Sequence, residues 1–138
     1  MNTSVEYLNP PGACPAQGLY SHIGKANDGQ LLFVAGQLSV APDGSVAGKA
    51  DFAAQFAQVF NNLGDVLKGV EGDFNDVVKF TTYLVHAQDI EKFMALRAEL
   101  FPKLFKGPLY PPNTLLIVDR LVKEEFLIEV EAVVRAPR

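Results

Sequence analysis

Three stretches of this chain, residues 31–35, 77–85 and 115–118, carry apolar side chains on both sides of a would-be strand. A strand that is apolar on both faces has to be covered on both faces. Only two segments show helical periodicity, and two helices cover one face of a sheet. The other face needs a partner. At 138 residues the chain has the length of one domain, so the partner predicted is another copy. Periodicity gives an oligomer without a subunit count.

Composition narrows the functional classes. Hydrophobic residues make up 49% and charged residues 20%, an ordinary balance for a soluble domain. The net charge is −4 and the twelve basic residues are scattered. Nucleic acid and anionic membranes need clustered Lys and Arg, so neither is an expected partner. Cys14 is the one cysteine, which rules out an internal disulfide and agrees with a reducing compartment. No base or cation adjoins it, so it reads as a free thiol rather than a nucleophile. The first residues lack the basic and apolar regions of a signal peptide, and no apolar run approaches the roughly 20 residues of a membrane span. A cytoplasmic setting is the expectation. His22 and His86 have no metal-ligand spacing, and no phosphate loop, dinucleotide fingerprint or nucleophile elbow is present. No metal or cofactor is expected.

Residues 1–18 hold three prolines and two glycines and read as an extended arm, with a single domain over 19–138. A strand is predicted over 20–26, turning at Asn27-Asp28-Gly29 as a hairpin into a second strand over 31–37. Asp51 caps a helix to about Val70, with Phe52, Phe56, Val59, Phe60, Leu63, Val66, Leu67 and Val70 as its buried stripe, and Gly69 and Gly72 mark its end. A strand over 77–85 follows, with Val78, Phe80, Thr82 and Leu84 on one face. Asp89 caps a second helix from Ile90 to about Leu104, which Pro102 should kink or end early. Ile90, Phe93, Leu96, Leu100 and Leu104 point inward. The turn Tyr110-Pro111-Pro112-Asn113-Thr114 leads into a strand over 114–119, joined through a hairpin at Lys123-Glu124-Glu125 to a last strand over 126–135. That strand alternates, with Phe126, Ile128, Val130, Ala132 and Val134 on one face and Glu129 and Glu131 on the other. The order is β-β-α-β-α-β-β, an α+β fold with a mixed sheet and both helices on one face. A site is expected where the 110–114 turn meets the strand carrying Glu129.

Four motifs in order, Gly18-Leu-Tyr20-Ser-His, Leu32-Phe-Val-Ala-Gly36-Gln37, Asp76-Val-Val-Lys79-Phe-Thr-Thr-Tyr-Leu84 and Ile128-Glu129-Val-Glu131-Ala, resemble the Rid (YjgF-type) family across the whole domain after the arm. The resemblance implies a chorismate-mutase-like fold assembled as a homotrimer, with small-molecule sites in clefts between copies. It also implies cofactor-free hydrolysis of enamines and imines to 2-keto acids and ammonia. In the best-known members an Arg in a Pro-x-Arg-Ser/Thr turn clamps the substrate carboxylate, a Glu on the last strand positions water, a Tyr lines the pocket and a strand-end Gly offers its backbone.

Residue by residue, the Tyr matches Tyr20, the Gly matches Gly36 and the Glu matches Glu129. The turn matches Pro111-Pro112-Asn113-Thr114, with Asn113 where the family has Arg. Asn carries no charge and has no guanidinium fork. Losing that clamp weakens a carboxylate's hold by about 1.5–3 kcal/mol per charged hydrogen bond. Arg120 lies too far along the segment to replace it. The expected ligand is therefore a small polar metabolite, uncharged or weakly acidic. Asn113 and Thr114 would hydrogen-bond it, Glu129 would handle water, Tyr20 and Gly36 would line the cleft, and Glu131 would sit at the interface or rim. A second reading is a non-catalytic metabolite-binding or regulatory trimer. A third is a 2-iminobutanoate/2-iminopropanoate deaminase with a different carboxylate clamp.

Overall fold

The computed structural model describes residues 4–137. Its elements are β1 (Val5–Leu8), β2 (Ile23–Ala26), β3 (Leu31–Gln37), α1 (Phe52–Gly69), a 3-10 turn (Phe74–Asp76), β4 (Val77–Leu84), α2 (Asp89–Leu104), β5 (Asn113–Ile117) and β6 (Ile128–Arg135). The predicted class and order are present, with one strand more. Strand β1 forms inside the segment read as an arm, whose residues 1–3 lie outside the described ones. Val5 is buried, and the Tyr7 hydroxyl donates to the Val77 carbonyl at 2.7 Å. Those two anchors make the segment part of the domain. Burial first, then the charges of Asp76 and Asp73, push the Tyr7 phenol up and keep it protonated as that donor.

β1 pairs antiparallel with β2 in a separate two-stranded sheet, while the main sheet runs β3-β6-β4-β5. Strand β6 is antiparallel to both neighbours and β5 is parallel to β4, so the sheet is mixed. Neither expected hairpin forms. Asn27-Asp28-Gly29 instead carries the chain from the small sheet to the large one. Gly29 takes φ +87°, and Arg135 ties the turn down by donating from Nε to the Asp28 carbonyl at 2.8 Å and pairing with its carboxylate. Lys123-Glu124-Glu125 cannot close a hairpin because β4 lies between β5 and β6. Pairing β4 with β6 places the two strands with the most buried residues at the centre.

The Asp51 carboxylate accepts from the Ala54 amide at 3.0 Å, capping α1 as expected. Val59, Leu63 and Leu67 are buried, as are Phe52, Phe56 and Phe60. Phe60 meets Phe56, Phe74, Phe80 and Phe101 with ring centroids 4.8–6.4 Å apart, so one aromatic layer joins both helices to β4. Each buried Phe contributes about 2–3 kcal/mol. The left-handed residue after α1 is Glu71 at φ +61°, not a glycine.

Helix α2 begins at Asp89 itself, and Gln88 caps it without a side-chain bond. Asp89 is buried and pairs with Lys92 at 3.6 Å. Pro102 does not break the helix. It sits so near the end that one lost bond costs little, and the chain stays helical to Leu104. A register shift between Val77 and Lys79 places Val77, rather than Val78, in the core beside Phe80, Thr82 and Leu84.

Both helices pack on the face formed by Phe80, Leu84, Ile128, Val130 and Val134. The opposite face is bare in a single chain, with Phe33 77% exposed and Leu31 and Leu116 exposed beside it. No described helix is long and apolar enough to cross a membrane.

Candidate functional site

Alternation along β6 sends Ile128, Val130 and Ala132 into the core and Glu129 and Glu131 to the bare face. The register of β3 against β6 breaks between Val34 and Gln37, a bulge that brings the Gly36 backbone under Glu129. The Glu129 carboxyl carbon lies 2.6 Å from where a Cβ on residue 36 would stand. Only glycine leaves that space. Burial pushes the Glu129 carboxyl up from its ordinary value, and the charge of Glu131 adds to the rise. Glu131 accepts from the Tyr83 hydroxyl at 2.5 Å, a bond that raises the Tyr83 phenol. One carboxylate is thus held as an acceptor. Among the described residues the other has no hydrogen-bond partner, which leaves it available to water or a ligand.

A second feature is a cleft of about 490 Å³ lined by Tyr20, Ser21, Lys79, Pro112, Asn113 and Thr114, among others. Asn113 opens β5 in register with Phe80, so its side chain faces the helix layer. There the Thr82 hydroxyl donates to Asn113 Oδ1 at 2.7 Å. The acceptor end of the amide is taken, and its NH₂ end remains to donate. Thr114 points to the other face. The Tyr20 hydroxyl accepts from the Gln17 amide at 3.1 Å, and its ring meets His22 edge-on at 6.2 Å.

Within one chain the five expected residues thus fall into two groups. Tyr20, Asn113 and Thr114 line the cleft; Gly36 and Glu129 meet on the bare face. Glu129 is in register with Tyr83 and Asn113 with Phe80, so the two side chains lie on opposite faces of the sheet. The expected meeting of the 110–114 turn with the Glu129 strand does not occur inside one copy, because β4 separates β5 from β6. Arg120 is engaged by Glu124 and by the carbonyls of Leu121 and Val122, away from the cleft. Among the described residues no three His, Cys, Asp or Glu cluster as a metal site.

Two buried residues with an unpartnered polar atom, Arg97 and Ser21, are not expected from the sequence. Arg97 and Ser21 are 2% and 1% exposed, and Arg97 Nε and Ser21 Oγ lack partners. The signal for Arg97 was its place four residues from both Phe93 and Phe101, on the inward stripe of α2. The sequence offered no comparable signal for Ser21.

Comparison with known proteins agrees with the architecture. Residues 12–136 match the family model described as Endoribonuclease L-PSP. A RutC family protein of Pyrococcus horikoshii is 36% identical over 116 residues, covering 84% of this chain and 86% of that one. The rat protein named 2-iminobutanoate/2-iminopropanoate deaminase is 32% identical over 104 residues, covering 75% and 72%. The crystal structure of the Rid family protein YyfB of Yersinia pestis, described as of unknown function, superposes with a TM-score of 0.84 at 30% identity, covering 96% and 98%.

Proposed function

The chain belongs to the Rid (YjgF-type) family, and on that premise we propose a cytoplasmic homotrimer whose clefts between copies bind a small polar metabolite and hydrolyse its carbon–nitrogen double bond without a cofactor. The carrying observation is the Glu129 carboxylate, raised by burial, set against Gly36 and unpartnered on an apolar face. In the trimer, the Gly36–Glu129 half of one copy meets the Tyr20–Asn113–Thr114 half of the next. This accounts for two groups of residues that one chain keeps apart, with β4 between them.

Glu129 takes a proton from water as the oxygen bonds to the imine carbon, and the carbon–nitrogen π electrons move to nitrogen. The proton then passes to nitrogen. The resulting carbinolamine collapses to the ketone and ammonia, with no change in oxidation state. A carboxyl raised from its ordinary value suits both directions of transfer. The test supplies 2-iminopropanoate generated in situ and follows its loss. Wild-type turnover should fall by about 10²-fold or more in Glu129→Gln at a melting temperature no lower than wild type's. Undiminished turnover in that variant overturns the assignment.

A second reading is a non-catalytic binding or regulatory trimer. Asn113 favours it, because the position gives up the family's charged clamp and commits its own acceptor to Thr82. Saturable binding of pyruvate with no turnover of the imine would select it. An Asn113→Arg variant that turns over faster than wild type would show the lost clamp to be limiting.

A further inference from the structure

Met94 and Arg97 stand three residues apart on α2, a spacing that sets two side chains side by side on a helix. Their surroundings are opposite. Met94 is 36% exposed, while Arg97 is nearly sealed from solvent. Arg97 Nη2 donates to Met94 Sδ at 3.0 Å, the guanidinium carbon stands 5.0 Å from the centre of the Phe93 ring, and Nε has no partner. Among the described residues no carboxylate pairs with it. A guanidinium only donates, and a thioether is a weak acceptor. Buried charges are found paired and hydrogen-bonded, so this cation is short of acceptors.

The contact lies under the turn that leads to the cleft. Gly18 takes φ +147° and packs so closely that a Cβ there would come 2.6 Å from Arg97 Nη2, 3.1 Å from Met94 Cε and 3.6 Å from Met94 Sδ. The Tyr20 amide donates to the Gly18 carbonyl at 2.9 Å, so the same turn carries Tyr20. A change at the Met94 sulfur therefore reaches Arg97 and this turn together.

One reaction turns the weak acceptor into a strong one. The sulfur lone pair attacks an oxygen of hydrogen peroxide, the O–O bond breaks, and the leaving hydroxide takes the proton of the new S–OH group to depart as water. Sulfur is oxidised by two electrons and the peroxide is reduced. Methionine sulfoxide is ordinarily disruptive, because it makes an apolar side chain polar. At this position its oxygen meets a guanidinium, in a charge-assisted bond roughly twice as strong as a neutral one. We propose that Met94 is a peroxide-oxidation site whose sulfoxide Arg97 holds, so that oxidation fastens α2 to the Gly18–Tyr20 turn instead of loosening it. A methionine sulfoxide reductase restores the thioether. None of this requires chemistry in the cleft.

The test exposes the whole protein to hydrogen peroxide, locates the added oxygen by peptide mass spectrometry and compares melting temperatures. Met1 is the other methionine and serves as the internal reference. Sulfoxide at Met94 should raise the melting temperature by about 3–8 °C. Arg97→Leu removes the buried cation without leaving a charge unpaired, and in it the rise should vanish or become a fall. Met94→Gln supplies a carbonyl oxygen without any oxidation, so it carries the test if peroxide damages the protein elsewhere. It should melt above Met94→Leu when Arg97 is present and not in the Arg97→Leu background. Oxidation of Met1 with Met94 spared overturns the site. A Met94 sulfoxide that melts no higher than the thioether, a rise that persists in Arg97→Leu, or a Met94→Gln that melts no higher than Met94→Leu overturns the hold by Arg97.

Discussion

The Glu129 carboxylate occupies the space that a side chain on residue 36 would need. Gly36→Ala therefore tests position without touching the acid. The clash is with the far end of a flexible side chain, so the fold should survive with little change in melting temperature. The carboxylate must move, and a displacement of about 1 Å at a reacting group costs about 10²-fold in rate. A loss of kcat/KM with an intact melt is the expected result. Unchanged kcat/KM separates Glu129 from the chemistry.

The raised Glu129 carboxyl makes two pH predictions. Its folded pKa lies above its unfolded value, so its contribution to stability is full below about 4.5 and is lost as pH rises through the folded value. Urea melts from about pH 4 to about pH 8 should show Glu129→Gln gaining on wild type as pH rises. The acid limb of kcat/KM should lie above 4.5. In Glu131→Gln that limb should move down part of the way, because one charge is removed while burial, the larger cause, remains. A limb that does not move in this variant rules out the coupling.

Gln55 is fully buried and satisfies three backbone groups. Its amide donates to the carbonyls of Gly48 and Glu125 at 3.1 and 2.8 Å, and its oxygen accepts from the Leu127 amide at 2.8 Å. It pins α1 to the entry of the strand that carries Glu129. Gln55→Ala strands these groups and should cost about 2–4 kcal/mol in denaturant melts. A loss below about 1 kcal/mol would mean that water replaces the amide.

Phe33 stands on the bare sheet face. If three copies bury that face, Phe33→Glu should turn a trimer into a monomer in light scattering, since each copy loses roughly 2–3 kcal/mol of apolar burial and gains a charge to desolvate. Wild type eluting as a monomer rejects the assembly.

Residues whose role follows from period and polarity were legible in the sequence. The Phe stripe of α1, the Asp51 cap and the inward and outward sets of β6 all follow from side-chain direction. Strand pairing was less legible. Asp28-Gly29 and Lys123-Glu124-Glu125 carry good turn chemistry, but a turn does not decide which strand lies next to which. The competition to bury β4 and β6 decided that. The same limit divided the site. Tyr20, Gly36, Asn113, Thr114 and Glu129 were recognised singly, and only the register shows Asn113 and Glu129 on opposite faces. Arg97 was hidden by its type, because an Arg on a helix is by default a surface residue.

Strand β4 stands like a partition between the half-sites of each copy. In a trimer assembled as proposed, every reacting pocket draws on two chains, so two defective chains can repair one another. A subunit lacking Glu129 and a subunit with a ruined Tyr20 cleft, each inert alone, would form a sound pocket wherever their intact halves meet. Dominance and rescue in mixed populations would then follow from how the ring is shuffled.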